Sequence, residues 1–212
     1  MKVKICGLTD VGSAQAAAEA GAEYVGMVFA PSKRQLNPLK AKEIADSVRR
    51  LKTRPRLVGV FVDLNPGEVN RIADYCQLDA VQLSGKESWY QCGQIKLPII
   101  KALHITPGSK AEEVCAEIEK GYGWISSERL TFLLDTQSSE GGGSGKAFDW
   151  GIAREIAARF PVIVAGGLNP ENVGKMIGEV KPWGVDVSSG VETQGKKDIK
   201  KIEEFVRMAK ET

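Results

Sequence analysis

Two side chains able to move a proton stand at the ends of short apolar runs. Cys6 closes Val3-Lys4-Ile5, and Asp135 closes Thr131-Phe132-Leu133-Leu134. A thiol and a carboxyl that flank one small molecule have the chemistry of an acid–base pair. A cysteine taken alone is more often a small buried hydrophobe, so position has to separate Cys6 from Cys76, Cys92 and Cys115. Cys6 ends a strand-like run and is followed by Gly7, whereas the other three fall in or beside helical stretches and read as packing residues. Asp186, within Gly184-Val185-Asp186-Val187, is a third candidate. His104, at the end of the run Ile99–Leu103, also stands where it could be catalytic; with no partner identifiable along the chain, the packing or surface reading is preferred.

Other segments have the chemistry of anion recognition. Gly166-Gly167 lets backbone N–H groups come close to an anion, and Asn169-Pro170 directly behind it starts a helix whose dipole favours negative charge. Ser188-Ser189-Gly190 can close the other side of the same pocket. The polar loop Ala30-Pro31-Ser32-Lys33-Arg34-Gln35-Leu36 carries Arg34, whose guanidinium can fork to a carboxylate through two parallel hydrogen bonds.

An alternation of short apolar runs with longer amphipathic ones positions these groups. Strands are expected at Val3–Cys6, Tyr24–Phe29, Leu57–Val62, Ala80–Leu83, Ile99–Leu103, Thr131–Asp135, Val162–Ala165 and Gly184–Val187. Each is too short for a helix and rich in Val, Ile or Leu, as strands buried on both faces are. Three helices open on Asn-Pro, at 37–38, 65–66 and 169–170: Asn caps a backbone N–H, and Pro at the first position has none to lose. Gly21, Gly93 and Gly121 are expected to stop helices in the left-handed conformation. The final helix, near Ile199–Lys210, turns Ile202, Phe205, Val206 and Ala209 to one face.

Eight strand–helix units in 212 residues imply an α/β fold, a single (β/α)8 TIM barrel forming one catalytic domain over residues 1–212. The competing open, doubly wound sheet is disfavoured because the first turn, Cys6-Gly7-Leu8-Thr9-Asp10, lacks a GxGxxG phosphate fingerprint. Side chains alternate along a strand. If Cys6 points inward, so do Lys4, Asp135, Asp186 and Ser188, while Val3, Ile5, Phe132, Leu134, Val185 and Val187 face the helices. Lys4 and Asp186 then meet between strands one and eight, either as a structural ion pair or with Asp186 free for substrate. Ser138–Gly145 is glycine-rich and reads as a mobile loop after strand six, over the site.

The bulk composition excludes several classes. A net charge of +2, from 29 basic and 27 acidic residues, provides no field for nucleic acid or a membrane surface. Met1 leads into Lys2-Val3-Lys4-Ile5 without a signal-peptide core, and no apolar run approaches the ~20 residues of a membrane span. Four dispersed cysteines without a CxxC pair, beside a single histidine, argue against a zinc site and for reduced thiols in the cytoplasm.

The motifs taken together resemble the phosphoribosylanthranilate isomerase family. Lys4-Ile5-Cys6-Gly7-Leu8-Thr9, Val58–Val62, Val81-Gln82-Leu83, Leu133-Leu134-Asp135-Thr136, Gly142–Lys146, Phe148-Asp149-Trp150, Gly166–Val173 and Val185–Glu192 occur in family order across the chain. The resemblance implies a cofactor-free Amadori rearrangement of a phosphosugar in tryptophan biosynthesis, by a monomer or homodimer with no nucleic acid, membrane or metal involved. It assigns Cys6 as general base, Asp135 as general acid, Arg34 to the anthranilate carboxylate, and the phosphate to Gly166-Gly167 and Ser188-Ser189-Gly190. One departure is visible: the family usually has Val-Gln-Leu-His-Gly where this chain has Val81-Gln82-Leu83-Ser84-Gly85. An unperturbed aspartic acid is protonated in only roughly one molecule per thousand at pH 7, so the site must favour the acid form of Asp135. Cys6 needs the opposite help, toward thiolate. The rivals are an indole-glycerol-phosphate synthase, which would use a strand lysine, a metal-dependent ribulose-phosphate epimerase, and a barrel that only binds a phosphosugar.

Overall fold

The computed structural model describes residues 1–106, 108–136 and 150–212. Eight parallel strands close on themselves in chain order: β1 (Lys2–Ile5), β2 (Tyr24–Val28), β3 (Arg56–Phe61), β4 (Ala80–Leu83), β5 (Ile99–Ile105), β6 (Leu130–Thr136), β7 (Val162–Ala165) and β8 (Gly184–Val187). Closure between β1 and β8 pairs Lys4 with Asp186, and β5 pairs His104 with Asp135 on β6. The helices follow as α1 (Val11–Glu19), α2 (Pro38–Arg49), α3 (Pro66–Cys76), α4 (Trp89–Gly93), α5 (Ala111–Trp124), α6 (Trp150–Ala157), α7 (Pro170–Val180) and α8 (Ile199–Glu211). This is the (β/α)8 barrel that the alternation implies. Among the described residues no helix is long and apolar enough to cross a membrane.

Two apolar layers bear out the expected alternation. Inside the barrel, Tyr24, Val58, Ala80, Ile100, Ala102, Leu133, Ile163 and Ala165 pack as one cluster. Val3, Ile5, Phe132, Leu134, Val185 and Val187 belong to the larger layer between strands and helices. Burial there excludes water from about a side chain's full area, on the order of 1.5–3 kcal/mol for each large aliphatic residue. Cys76, Cys92 and Cys115 lie in α3, α4 and α5, buried, as packing residues do. α8 buries Ile202, Phe205, Val206 and Ala209, the face its periodicity singles out.

All three Asn-Pro helix starts are capped as expected, with the Asn37, Asn65 and Asn169 side chains accepting from Lys40, Gly67 and Asn172 N–H. The glycine stops are only partly as expected. Gly21 is left-handed just past α1, but Gly93 is the last residue of α4 and is not left-handed. Gly121 lies inside α5, because a Cβ there would press on Trp89 and Phe132, 2.6 and 2.7 Å away. Gln77 and Lys181 supply the left-handed stops of α3 and α7 instead. After β8 comes a short turn of 3-10 helix, Ser189–Val191, then a hairpin of β9 (Glu192–Thr193) and β10 (Lys196–Lys197) that sequence reading did not anticipate. The glycine-rich segment Ser138–Gly145 lies outside the described residues.

Candidate active site

Cys6 lies just past the end of β1, its N–H donating 2.8 Å to the Val187 carbonyl of β8. Gly26 on β2 makes room for it, since a Cβ there would stand 3.0 Å from the Cys6 sulfur. Two residues down the same face, Lys4 is wholly buried and donates to Asp186 Oδ1 at 2.8 Å. Burial opposes the ammonium, but the Asp186 carboxylate and the Cys6 thiol hold Lys4 charged, above its usual range. Burial pushes the Cys6 thiol up; Lys4 is the strongest influence pulling it back toward thiolate, against the neighbouring Asp186. The buried ammonium thus serves the sulfur as well as the carboxylate.

Asp135 sits near the end of β6, pointing inward like Leu133 two residues before it. Burial raises its carboxyl above the usual aspartate range; His104 opposes that, Asp186 adds to it and Lys4 opposes it weakly. His104 continues the inward face of β5 after Ile100 and Ala102. Its Nδ1 lies 3.5 Å from Asp135 Oδ2, and its Nε2 lies 2.9 Å from the Ser84 carbonyl oxygen. The sequence places His104 at the rim but offers no partner for it; β5 runs on to Ile105, and its register against β6 sets His104 beside Asp135. The Ser84 hydroxyl is occupied elsewhere, accepting from Gln82 Nε2 at 2.9 Å.

Arg34 reaches the same rim from the loop after β2, and its guanidinium already grips a carboxylate. Nε donates to Glu192 Oε1 at 2.6 Å and Nη2 to Glu192 Oε2 at 2.8 Å. Gly7, left-handed at φ 72°, lies under this side chain; a Cβ would collide with Arg34. Lys197, buried, donates to Glu192 Oε1 at 3.0 Å and to the Ser188 carbonyl at 2.8 Å. Burial lowers Lys197 below its ordinary range, whereas Glu192, despite burial, is held down by Arg34 and Lys197. Neither Glu192 nor Lys197 was singled out from sequence, although a signal existed. Gln194-Gly195, both left-handed, is the turn of a two-residue hairpin, and such a hairpin sets Glu192 opposite Lys197.

The two segments expected to hold an anion meet. Gly166 and Gly167 are left-handed at φ 94° and 66°, and Gly190 approaches so closely that a Cβ would collide with the Leu168 carbonyl. Asn169 and Asn172 cap α7 reciprocally, and Asn172 Nδ2 also donates 2.9 Å to the Gly167 carbonyl, fixing the turn. The structure therefore gathers Cys6, Asp135, Asp186, Arg34 and both loops at the C-terminal ends of the strands, where barrels carry their chemistry. Lys4 and Asp186 do meet as an ion pair, through Oδ1 of the carboxylate.

Residues 3–208 match the family described as N-(5′-phosphoribosyl)anthranilate (PRA) isomerase. The chain belongs to that family. The isomerase of Dehalococcoides mccartyi is 51% identical over 212 residues, covering 100% of this chain and 96% of the relative. The crystal structure of the Thermotoga maritima isomerase superposes with a TM-score of 0.84 at 40% identity, over 100% of both chains. A phosphoribosylanthranilate isomerase solved with reduced 1-(o-carboxyphenylamino)-1-deoxyribulose 5-phosphate gives 0.81 at 37% identity, again over 100% of both. Membership makes this chain an aldose–ketose isomerase of tryptophan biosynthesis. Within the phosphoribosylanthranilate isomerase family pattern, the Ser84 departure acquires a structural neighbour: the ring that touches residue 84 here comes from His104 on the next strand.

Proposed function

We propose that residues 1–212 form one cytoplasmic catalytic domain that converts N-(5-phosphoribosyl)anthranilate to 1-(2-carboxyphenylamino)-1-deoxyribulose 5-phosphate, with Cys6 as base and Asp135 as acid. The observation that carries this reading is the convergence of two inward groups, a carboxyl and a thiol, at one barrel mouth, each with a neighbour suited to its task. Burial raises both groups, which favours the acid form of Asp135; beside Cys6 the buried Lys4 ammonium offsets part of that rise and stands ready to receive a thiolate. Asp135 delivers its proton to the furanose ring oxygen as the ring opens to a protonated Schiff base. Cys6 removes the proton from C2′, and the electron pair flows into the Schiff base to give an enolamine, which tautomerises to the ketone. One proton passes from Asp135 to the sugar and one from the sugar to Cys6, and solvent exchange restores both. The iminium nitrogen is the electron sink, so the scheme needs no cofactor.

Recognition follows the charges. Glu192 takes the Nε–Nη2 edge of Arg34 and so pre-orients it, leaving the Nη1–Nη2 edge to face the anthranilate carboxylate. The caps of α7 engage the Asn169 and Asn172 N–H groups, so phosphate donors fall to the glycine turn and the Ser188-Ser189-Gly190 turn. A strand-lysine mechanism is less well supported: Lys4 is committed to Asp186, and Lys101 to Glu87 and the Gly85 carbonyl.

The test is a fluorescence assay for consumption of phosphoribosylanthranilate by the wild type, Cys6→Ala and Asp135→Asn. Each variant should retain its fold and product affinity and lose on the order of 10²–10⁴ in kcat. A wild type without turnover would refute the activity, and near-normal turnover in either folded variant would refute that residue's role.

A further inference from the structure

His104 and Asp135 occupy paired register positions on neighbouring parallel strands, Nδ1 to Oδ2 3.5 Å. The far ring nitrogen, Nε2, is 2.9 Å from the Ser84 carbonyl oxygen. A carbonyl can only accept, so Nε2 carries a hydrogen in both the neutral and the charged ring. The neutral ring must then turn the bare lone pair of Nδ1 toward the carboxyl. With Asp135 ionised as well, two lone pairs would oppose each other with nothing between them. A single proton satisfies both atoms, whether drawn as carboxylic acid and imidazole or as carboxylate and imidazolium.

We infer that His104 is a positioning residue that shares one proton with Asp135 and holds that proton at the barrel mouth to higher pH than the carboxyl would alone. The inference rests on Asp135 being the acid. Because opposite charges attract, the one-proton state of the pair is favoured over both the empty and the doubly protonated states, and its two ionisations belong to the pair. When the proton leaves for the ring oxygen, Asp135 is left as carboxylate beside a neutral ring, and the pair regains one proton from solvent before the next turnover. Other charges face the pair. Lys4 and Asp186 act on Asp135 from β1 and β8. Lys86, Glu87 and Lys101, with Glu113, Glu117 and Lys120 of α5, line a cavity of about 530 Å3 beside His104. Lys101 and Glu87 are paired with each other, so their net field at the ring is small.

His104 is the chain's one histidine, which makes its imidazole resonance unambiguous by proton NMR. At fixed pH the resonance of the ring nitrogen that faces the carboxyl should move in Asp135→Asn, because the group sharing its proton is gone. His104→Gln keeps a donor for the Ser84 carbonyl but cannot titrate. In its kcat/KM profile the bend set by the acid should move down by about one pH unit, the size expected for an opposite charge at this range, while the other bend stays. An Nδ1 resonance identical in wild type and Asp135→Asn, or an unmoved profile in His104→Gln, would overturn the inference. Failure of the underlying reading shows separately, as near-normal turnover in Asp135→Asn, whatever the imidazole does.

Discussion

The Lys4–Asp186 and Lys101–Glu87 pairs are alike in burial and unlike in direction. Each sets an ammonium against a carboxylate in contact, with both partners largely withdrawn from water. Lys4 lies on the inward face of β1, two residues before Cys6, so its ammonium also acts on the sulfur. Lys101 lies on the outward face of β5, and the Glu87 it meets also accepts from the Asp63 and Gly85 N–H groups. That carboxylate staples the turns after β3 and β4 together, and the thiol its pair acts on, Cys92, is a buried packing residue of α4 rather than a group at the barrel mouth. A buried ion pair is therefore no sign of chemistry in itself; strand parity, and the group that shares the ammonium, distinguish the two.

Removing each ammonium should break the likeness. Lys4→Met and Lys101→Met both strand a buried carboxylate, and each should destabilise the fold by about 3–5 kcal/mol in chemical denaturation. Only Lys4→Met should reach the chemistry. Without the ammonium the Cys6 thiol rises further, so the bend set by the thiol moves to higher pH, and the thiolate fraction below it falls about tenfold for each unit. The acid's bend should move little, since Lys4 is the weakest of the four influences on Asp135. The folded fraction of Lys101→Met should keep the wild-type profile. Equal displacement of the profile in both variants would remove the distinction between the pairs.

A smaller effect is expected at the Arg34–Glu192 fork, where a carboxylate of the protein holds the group we propose for a carboxylate of the substrate. Arg34→Ala should raise KM by about 10- to 100-fold, corresponding to a lost charge-assisted hydrogen-bonded pair. Arg34→Lys should recover little of it, because an ammonium cannot present two parallel donors. Glu192→Gln should weaken binding less than either, loosening Arg34 without removing it. Steady-state KM measured across the three variants orders them; unchanged KM in Arg34→Ala would move carboxylate recognition elsewhere.

What could be read along the chain divides the same way. Cys6, Asp135 and Asp186 were legible because a buried parallel strand announces both its place and its alternation, and Ala80–Leu83, Val162–Ala165 and Gly184–Val187 have the expected bounds. Helix starts were legible because Asn-Pro acts locally. Helix stops were less so: Gly121 looks like a stop but answers to Trp89 and Phe132, which only the folded chain brings beside it. The partners of Arg34 and His104 were hidden for a related reason. Glu192 lies 158 residues from Arg34, and residue type alone does not specify a contact made through barrel closure. The place of His104 at the rim was legible, but its partner was not, because the register of β5 against β6 is set only in the closed barrel.

Ser84 provides the smallest and most discriminating test, because it separates what its backbone does from what its side chain does. His104 contacts the carbonyl of Ser84, while the hydroxyl accepts from Gln82 Nε2 at 2.9 Å. Ser84→Ala keeps the carbonyl and so keeps the ring oriented with its bare nitrogen toward Asp135. It removes one partner from Gln82, a buried side chain whose amide oxygen has no partner among the described residues. The expected loss is about 1 kcal/mol of stability, the net worth of a single hydrogen bond. Turnover should stay within about two-fold and both bends of the pH profile should hold their positions, in contrast to His104→Gln. If Ser84→Ala instead moves the acid's bend as far as His104→Gln does, then the hydroxyl lies on the proton's path. The serine would then share the work of the histidine, and the acid at this barrel mouth would be a set of three groups rather than two.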